Sequence, residues 1–205
     1  MYMKTLIALA AALLFNLYAQ AQPKVYFTKE ISPEALVRIY KALGKEAKGR
    51  VAVKISTGEA GGNNYLKPTL IRNLVDDVGG TIVECNTAYA GSRNTSEAHW
   101  KTIHEHGFDS IFAVDIMDEY GDIRIPVKDK KHIKYDIVGA HLANYDFMIN
   151  LAHFKGHAMG GFGGVLKKPV DRRGIERRQG IHTHRRQGAE PGGAVEQSAR
   201  TRLFS

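Results

Sequence analysis

Between Tyr145 and Lys167 the chain places two imidazoles, His153 and His157, beside two ammonium groups, Lys155 and Lys167, and two glycine pairs, Gly160-Gly161 and Gly163-Gly164. A hydrophobic core has no use for that mixture. Glycines let the backbone turn its N–H groups toward a ligand without a Cβ in the way, and the lysines add positive charge beside them. Imidazole titrates near neutral pH, so His153 or His157 is suited to proton transfer, with Lys155 at hand. The chemistry expected is therefore anion binding, with or without catalysis. Taken singly, the glycine pairs are also ordinary turns and the histidines ordinary structural residues. The phosphate-loop pattern G-x-x-x-x-G-K-[ST] is absent, because Lys167 follows Gly164 by three positions and is itself followed by Lys168. His153 and His157 lack the H-E-x-x-H context of a zinc protease, and no metal site is assigned to them.

Such a loop needs a strand to deliver it, and Phe147 to Leu151 is a short apolar run of the right length. Upstream, Lys24 to Thr28 alternates like a strand. Ser32-Pro33 then caps a helix whose Leu36, Ile39, Tyr40 and Leu43 share a face, and Gly44 stops it. Arg50 to Ile55 reads as the next strand, followed by a polar, glycine-rich loop from Ser56 to Asn64. Pro68 opens a helix with a stripe of Leu70, Ile71, Leu74, Val75 and Val78, closed by Gly79-Gly80. Thr81 to Cys85 is a strand, Asn94 with Glu97 caps a helix reaching His106, and Ser110 to Ile116 is a fourth strand. His99, His104 and His106 on that helix are expected at the surface or half-buried, and Cys85 is expected buried. Ile123 to Val127 and Ile133 to Val138 form a β-ribbon ahead of a central strand from Asp146 to Leu151.

Strands alternating with capped helices imply right-handed crossovers. The fold class is α/β, a mostly parallel sheet with helices on both faces and a small inserted β-ribbon, incomplete at the C-terminus. Loops at the strand carboxyl ends then share one edge of the sheet. That rule gathers Lys54, Ser56, Glu84, Asn86 and Asn150 with His153, Lys155 and His157 into one crevice, where Lys54, Lys155 and Lys167 would hold an anionic group. The amides of Gly160, Gly161, Gly163 and Gly164 would complete the cradle. Glu84 would orient a lysine, bind substrate or end its strand as a structural carboxylate; Asn150 would line the crevice or satisfy turn backbone.

The net charge of +8 is split between two unlike parts of the chain. Through Lys168 there are sixteen lysines and five arginines against seventeen acids; beyond it there are eight arginines, no lysine and four acids. No basic patch interleaved with aromatics occurs in the body, which argues against nucleic acid. Met1 to Lys4, the apolar run Thr5 to Tyr18 and Ala19-Gln20-Ala21 form an export signal with a cleavage site, residues 1–21. That run is shorter than the roughly 20 residues a membrane span needs. The expected location is periplasmic or secreted, with no stable span after cleavage. Cys85 is the only cysteine, so no disulfide can form within the chain and no cysteine-ligated cluster can be built from it.

Three stretches resemble the domain of unknown function 362 (DUF362) family, whose longer members are described as uncharacterised iron–sulfur centre proteins. They are Val53 to Glu59, Thr81 to Tyr89 with Gly91 to Thr95, and Ile149 to His157 continuing through Gly164 to Lys167. The resemblance covers roughly residues 24–168 and implies an α/β domain, no settled activity, and a cysteine-bearing C-terminal region in long members suited to an iron–sulfur cluster and a redox partner. That region is missing here, so no cofactor is expected in this chain. Residues 22–168 are read as the partial DUF362-like domain and 169–205 as a basic tail of low order. The tail has a second explanation. Read one base later, codons compatible with Lys168 to Arg172 can encode Asn-x-Ser-Ile-Gly, and those for Gln179 to Gln187 can encode Lys-Ala-Tyr-Ile-His-Thr-Ala-Gly-Lys. This is similar to the family's continuation and points to a single-base insertion near codon 168. The leading functional expectation is an exported, cluster-associated protein binding a small anionic ligand, with redox chemistry in its full-length form. The alternatives are a non-catalytic anion- or protein-binding module and a truncated product without function.

Overall fold

The computed structural model describes residues 24–131, 134–153, 155–157 and 161–165, with the backbone alone for His157, Phe162 and Gly163. The expected export signal, the C-terminal tail, Gly160 and Lys167 lie outside the described residues.

Helix α1, Pro33–Ala42, begins where Ser32 Oγ accepts from the Ala35 N–H and proline takes the first position, whose N–H would have had no partner. Strand β1, Val51–Lys54, is buried throughout. Helix α2, Pro68–Val78, buries Ile71, Leu74 and Val75 and ends at Gly79, whose φ of 57° is the left-handed conformation a side chain would resist. Strand β2, Gly80–Glu84, leads to helix α3, Ser96–Glu105, capped by Thr95 Oγ1 on the Ala98 N–H. Strand β3, Val114–Ile116, closes this series.

β1, β2 and β3 are parallel neighbours in sequence order. The chain then makes an antiparallel ribbon, β4 (Asp122–Pro126) with β5 (Tyr135–Gly139), and a 3-10 helix, Ala140–Asn144. It returns to the other side of β1 as β6, Phe147–Asn150. The sheet order is β3-β2-β1-β6, all parallel. The direction of winding reverses between β1 and β6, and in open α/β sheets that reversal opens a crevice at the carboxyl ends of the two strands.

The faces differ. Val51, Val53, Ile55 and Ile82 join Ile71, Val75, Ile103 and Phe108 in one cluster, with Leu36 of α1 packed against it. Ala52, Val83 and Met117 form a smaller cluster on the other face with Leu142, Tyr145 and Met148. Both helical crossovers wind the same way, so right-handedness puts α2 and α3 on one face. The second face is covered, among the described residues, by the 3-10 helix rather than an α-helix.

Several boundaries need correction. Residues 24–28 form no strand; their alternation finds no ladder partner, and Val25 and Phe27 stand exposed. The fourth strand starts at Val114, because Ile111 and Phe112 hydrogen-bond back to Phe108 O in a helical turn after α3. The cap of α3 is Thr95 rather than Asn94. β6 is an edge strand of the described sheet rather than a central one. Cys85 is half-buried rather than buried.

Candidate functional site

Register places the polar residues. Lys54 lies opposite Asn150 on one side and Val83 on the other, and Val83 lies opposite Asp115. Partnered residues point to the same face of a sheet, and neighbouring strands are about 4.8 Å apart. Asn150, Lys54 and Asp115 therefore share one row across the second face near the strand carboxyl ends.

At β1 and β2 this edge carries a charge-balanced network in which, among the described residues, only Arg93 Nε is buried without a hydrogen-bond partner; in the chain of bonds behind it the same holds for His106 Nε2. The Lys54 ammonium, 3% exposed, pairs with Glu84 Oε2 and donates to Ile55 O at 2.7 Å. Glu84 also accepts from Arg93 Nη1 at 2.9 Å and from the N–H groups of Thr57 (3.2 Å) and Cys85 (3.1 Å). Arg93 continues to Glu59 through Nη2 and to Ser56 Oγ at 3.4 Å. Burial pushes the Glu84 carboxyl up, but Lys54 and Arg93 outweigh it and hold the group below the ordinary glutamate value. Two cations face two carboxylates, so the network is neutral within itself.

A second chain of bonds runs behind it. His99 Nδ1 donates to Asn86 Oδ1 at 3.3 Å, which leaves Nε2 to accept the Thr57 hydroxyl at 2.9 Å. Burial lowers the His99 pKa to about 4; Glu84 pulls the other way, and Arg93 and Lys54 reinforce burial. His106 Nδ1 donates to Thr57 O at 2.7 Å and stacks on Tyr65 with ring centroids 4.0 Å apart. Asn86 donates from its backbone to Asp118 and from Nδ2 to Ser96. The expectation of surface or half-buried histidines on α3 is thus corrected: His99 and His106 are buried, and His104 is exposed. They bury because each finds a partner on Thr57.

Of the residues expected in the crevice, Lys54, Ser56, Glu84 and Asn86 come together through Arg93 and His99. Asn150 sits beside Lys54 without joining them. Its Nδ2 and Oδ1 are buried with no hydrogen-bond partner among the described residues, an arrangement that costs about 1–3 kcal/mol for each such group. Asn150 also borders an apolar groove of about 430 Å³, walled by Phe27, Ile31, Leu36, Leu66 and Leu151. After β6 the chain passes half-buried His153 and forms a small hairpin, β7 (Lys155–His157) with β8 (Gly161–Gly163). Lys155 and Gly161 are exposed and Gly164 is buried.

Sequence reasoning missed Thr57, Glu59, Arg93, His99 and His106. A signal existed: His99, Thr102, Ile103 and His106 fall at i, i+3, i+4 and i+7, a buried helical stripe written mostly in polar residues.

Residues 51–189 match the family described as domain of unknown function (DUF362). The match spans about two thirds of the chain and runs past Lys168. This chain belongs to the DUF362 family. No curated protein and no solved structure matches it. In DUF362 terms, all three resembling stretches meet at one sheet edge: the first carries Lys54 and Glu59, the second Glu84 and Arg93, and the third Asn150 and the hairpin. The iron–sulfur cluster suggested for longer members does not fit these residues, since Cys85 is a single thiolate donor and cluster ligation takes several. Among the described residues no group of three or more His, Cys, Asp or Glu side chains is arranged to hold a metal ion.

Proposed function

We propose that this DUF362 chain is the ligand-binding domain of an exported protein and holds a small organic anion at the carboxyl ends of β1 and β6. The unpartnered carboxamide of Asn150 at the point where the winding reverses carries the reading. A buried amide without partners is destabilising unless a ligand or water completes it. Its Nδ2 would donate to a carboxylate or phosphate oxygen, with exposed Lys155 and the hairpin amides adding positive potential. The apolar groove beside it would take the ligand's hydrocarbon part. Lys54 would act indirectly, since its charge is matched by Glu84. His153 or His157 would serve as the proton-transfer group if the bound anion is also turned over. Any redox step would belong to the longer family form with its cysteine-bearing region and a redox partner.

Thermal unfolding in the presence of phosphate, acetate, hexanoate and octanoate tests this. The wild-type chain should be stabilised, more by the longer carboxylates than by acetate, and Asn150→Leu should abolish the shift. A panel that moves neither protein, or moves both equally, contradicts it. Sequencing the source DNA across codons 160–205 tests the out-of-frame reading of the tail; a coding sequence without a surplus base near codon 168 removes it.

A further inference from the structure

On the second face of the sheet, three strands from Asn150, Asp115 holds His141. His141 Nδ1 donates to Asp115 Oδ1 at 2.8 Å, and the Tyr145 hydroxyl donates to Asp115 Oδ2 at 2.7 Å. Both carboxylate oxygens are thus occupied by donors, which fixes the plane of the carboxylate. The imidazole must carry its proton on Nδ1 to make that bond, leaving the Nε2 lone pair free. The His141 side chain is 26% exposed, with the exposed Tyr120 ring beside it at a centroid distance of 5.5 Å.

The backbone fixes the ring as firmly as the carboxylate does. His141 N–H donates to Met117 O at 3.0 Å, and Ala140 N–H to Gly121 O at 3.0 Å. Gly139 lies so close to β3 that a Cβ there would come within 2.5 Å of the Met117 carbonyl carbon. His104 and Asp109 make a similar pair at 3.1 Å, but His104 is 82% exposed, where water competes for every bond. The Asp115–His141 pair differs in being half-buried, doubly bonded at the carboxylate and anchored through its main chain.

We propose that His141 is a general base, with Asp115 as its positioning residue and Tyr145 fixing Asp115, acting on a proton of water or of a substrate hydroxyl. The site is independent of the anion reading and requires neither Asn150 nor the groove. In the step, an O–H bond of water breaks, its proton passes to His141 Nε2, and the oxygen forms a bond to an electrophilic carbon. The leaving group departs with its electron pair, and the imidazolium returns its proton to solvent. The groups facing the imidazole are Asp115 from β3, Tyr120 ahead of β4 and Tyr145 after the 3-10 helix, with Arg50 close enough to act on Tyr145.

The probe is p-nitrophenyl acetate, with the whole chain and its variants shown to be folded by thermal unfolding. His141→Gln should lower the hydrolysis rate about a hundredfold, the low end of general-base effects. His104→Gln should retain most of it. Asp115→Asn should also lose rate through kcat with KM little changed, a split that a purely structural carboxylate would not give, and a long-range proton–nitrogen spectrum should show its His141 shifting away from the Nδ1–H tautomer. If Asp115→Asn does not fold, the wild-type spectrum still decides, because His141 must carry its proton on Nδ1. A wild-type Nε2–H tautomer, or an unchanged rate in His141→Gln, overturns the proposal.

Discussion

The two ends of one sheet edge are finished in opposite ways. At β1 and β2 every charge has an answer: Lys54 and Arg93 meet Glu84 and Glu59, and both ring nitrogens of His99 are bonded. One strand over, at β6, the Asn150 carboxamide has no partner among the described residues, and the hairpin after it presents Lys155 to solvent. The first region is not free of open atoms, since Arg93 Nε and His106 Nε2 are buried without a partner among the described residues, but its charges balance and fix the loops that carry them, whereas at Asn150 the whole amide is open, a cost that a ligand can recover. On the proposed reading, the first region holds the loops and the second recognises the anion.

The largest expected effect comes from breaking the charge-balanced region. Glu84→Ala leaves Lys54 and Arg93 buried without their shared carboxylate, and loss of one partner from a buried pair costs about 3–5 kcal/mol. Denaturant unfolding should show a loss of that size, while a wild-type midpoint would mean the network is dispensable.

Acid sharpens the same comparison. The unfolded histidine protonates near 6.5, while folded His99 stays neutral to about 4, so the unfolded state takes up a proton first as the pH falls. Stability contributed by His99 is present above 6.5 and declines between 6.5 and about 4, by about 3 kcal/mol at most. Glu84, lowered in the fold, adds a further loss only as the pH falls through its own depressed value. His99→Gln should flatten the decline between pH 6.5 and 4 in unfolding measured across that range; an unchanged slope would place the titration elsewhere.

Much of this was legible in the sequence because it rested on local rules. Pro68 and Gly79 bracket α2, and the apolar run at Phe147 gives β6, because capping and hydrophobic periodicity are written in neighbouring residues. Bringing Lys54, Glu84 and Asn86 to one edge needed only the parallel-sheet rule. The pairing of Glu84 with Arg93 was not legible, because it depends on how the loop after β2 folds back over β1, and nothing local encodes that. His99 escaped for a related reason: hydropathy weighs a histidine as polar, and only Thr57 and Asn86, distant in sequence, make its burial affordable. Residues 24–28 show the converse error, an alternating pattern without a sheet edge to join.

The smallest expected effect lies in the open region. Asn150→Leu removes two unpartnered polar atoms, so the unliganded protein should keep its stability or gain about 1 kcal/mol in denaturant unfolding. A loss of several kcal/mol would show that the amide holds the fold instead.

The most direct test follows the Asn150 side-chain amide itself. Its NH2 proton and nitrogen resonances, assigned by their disappearance in Asn150→Leu, should shift on titration with octanoate while those of Asn86, bonded to Ser96 and His99, stay in place. Resonances of Asn150 that do not move while the protein binds the anion elsewhere would contradict a recognition site between β1 and β6.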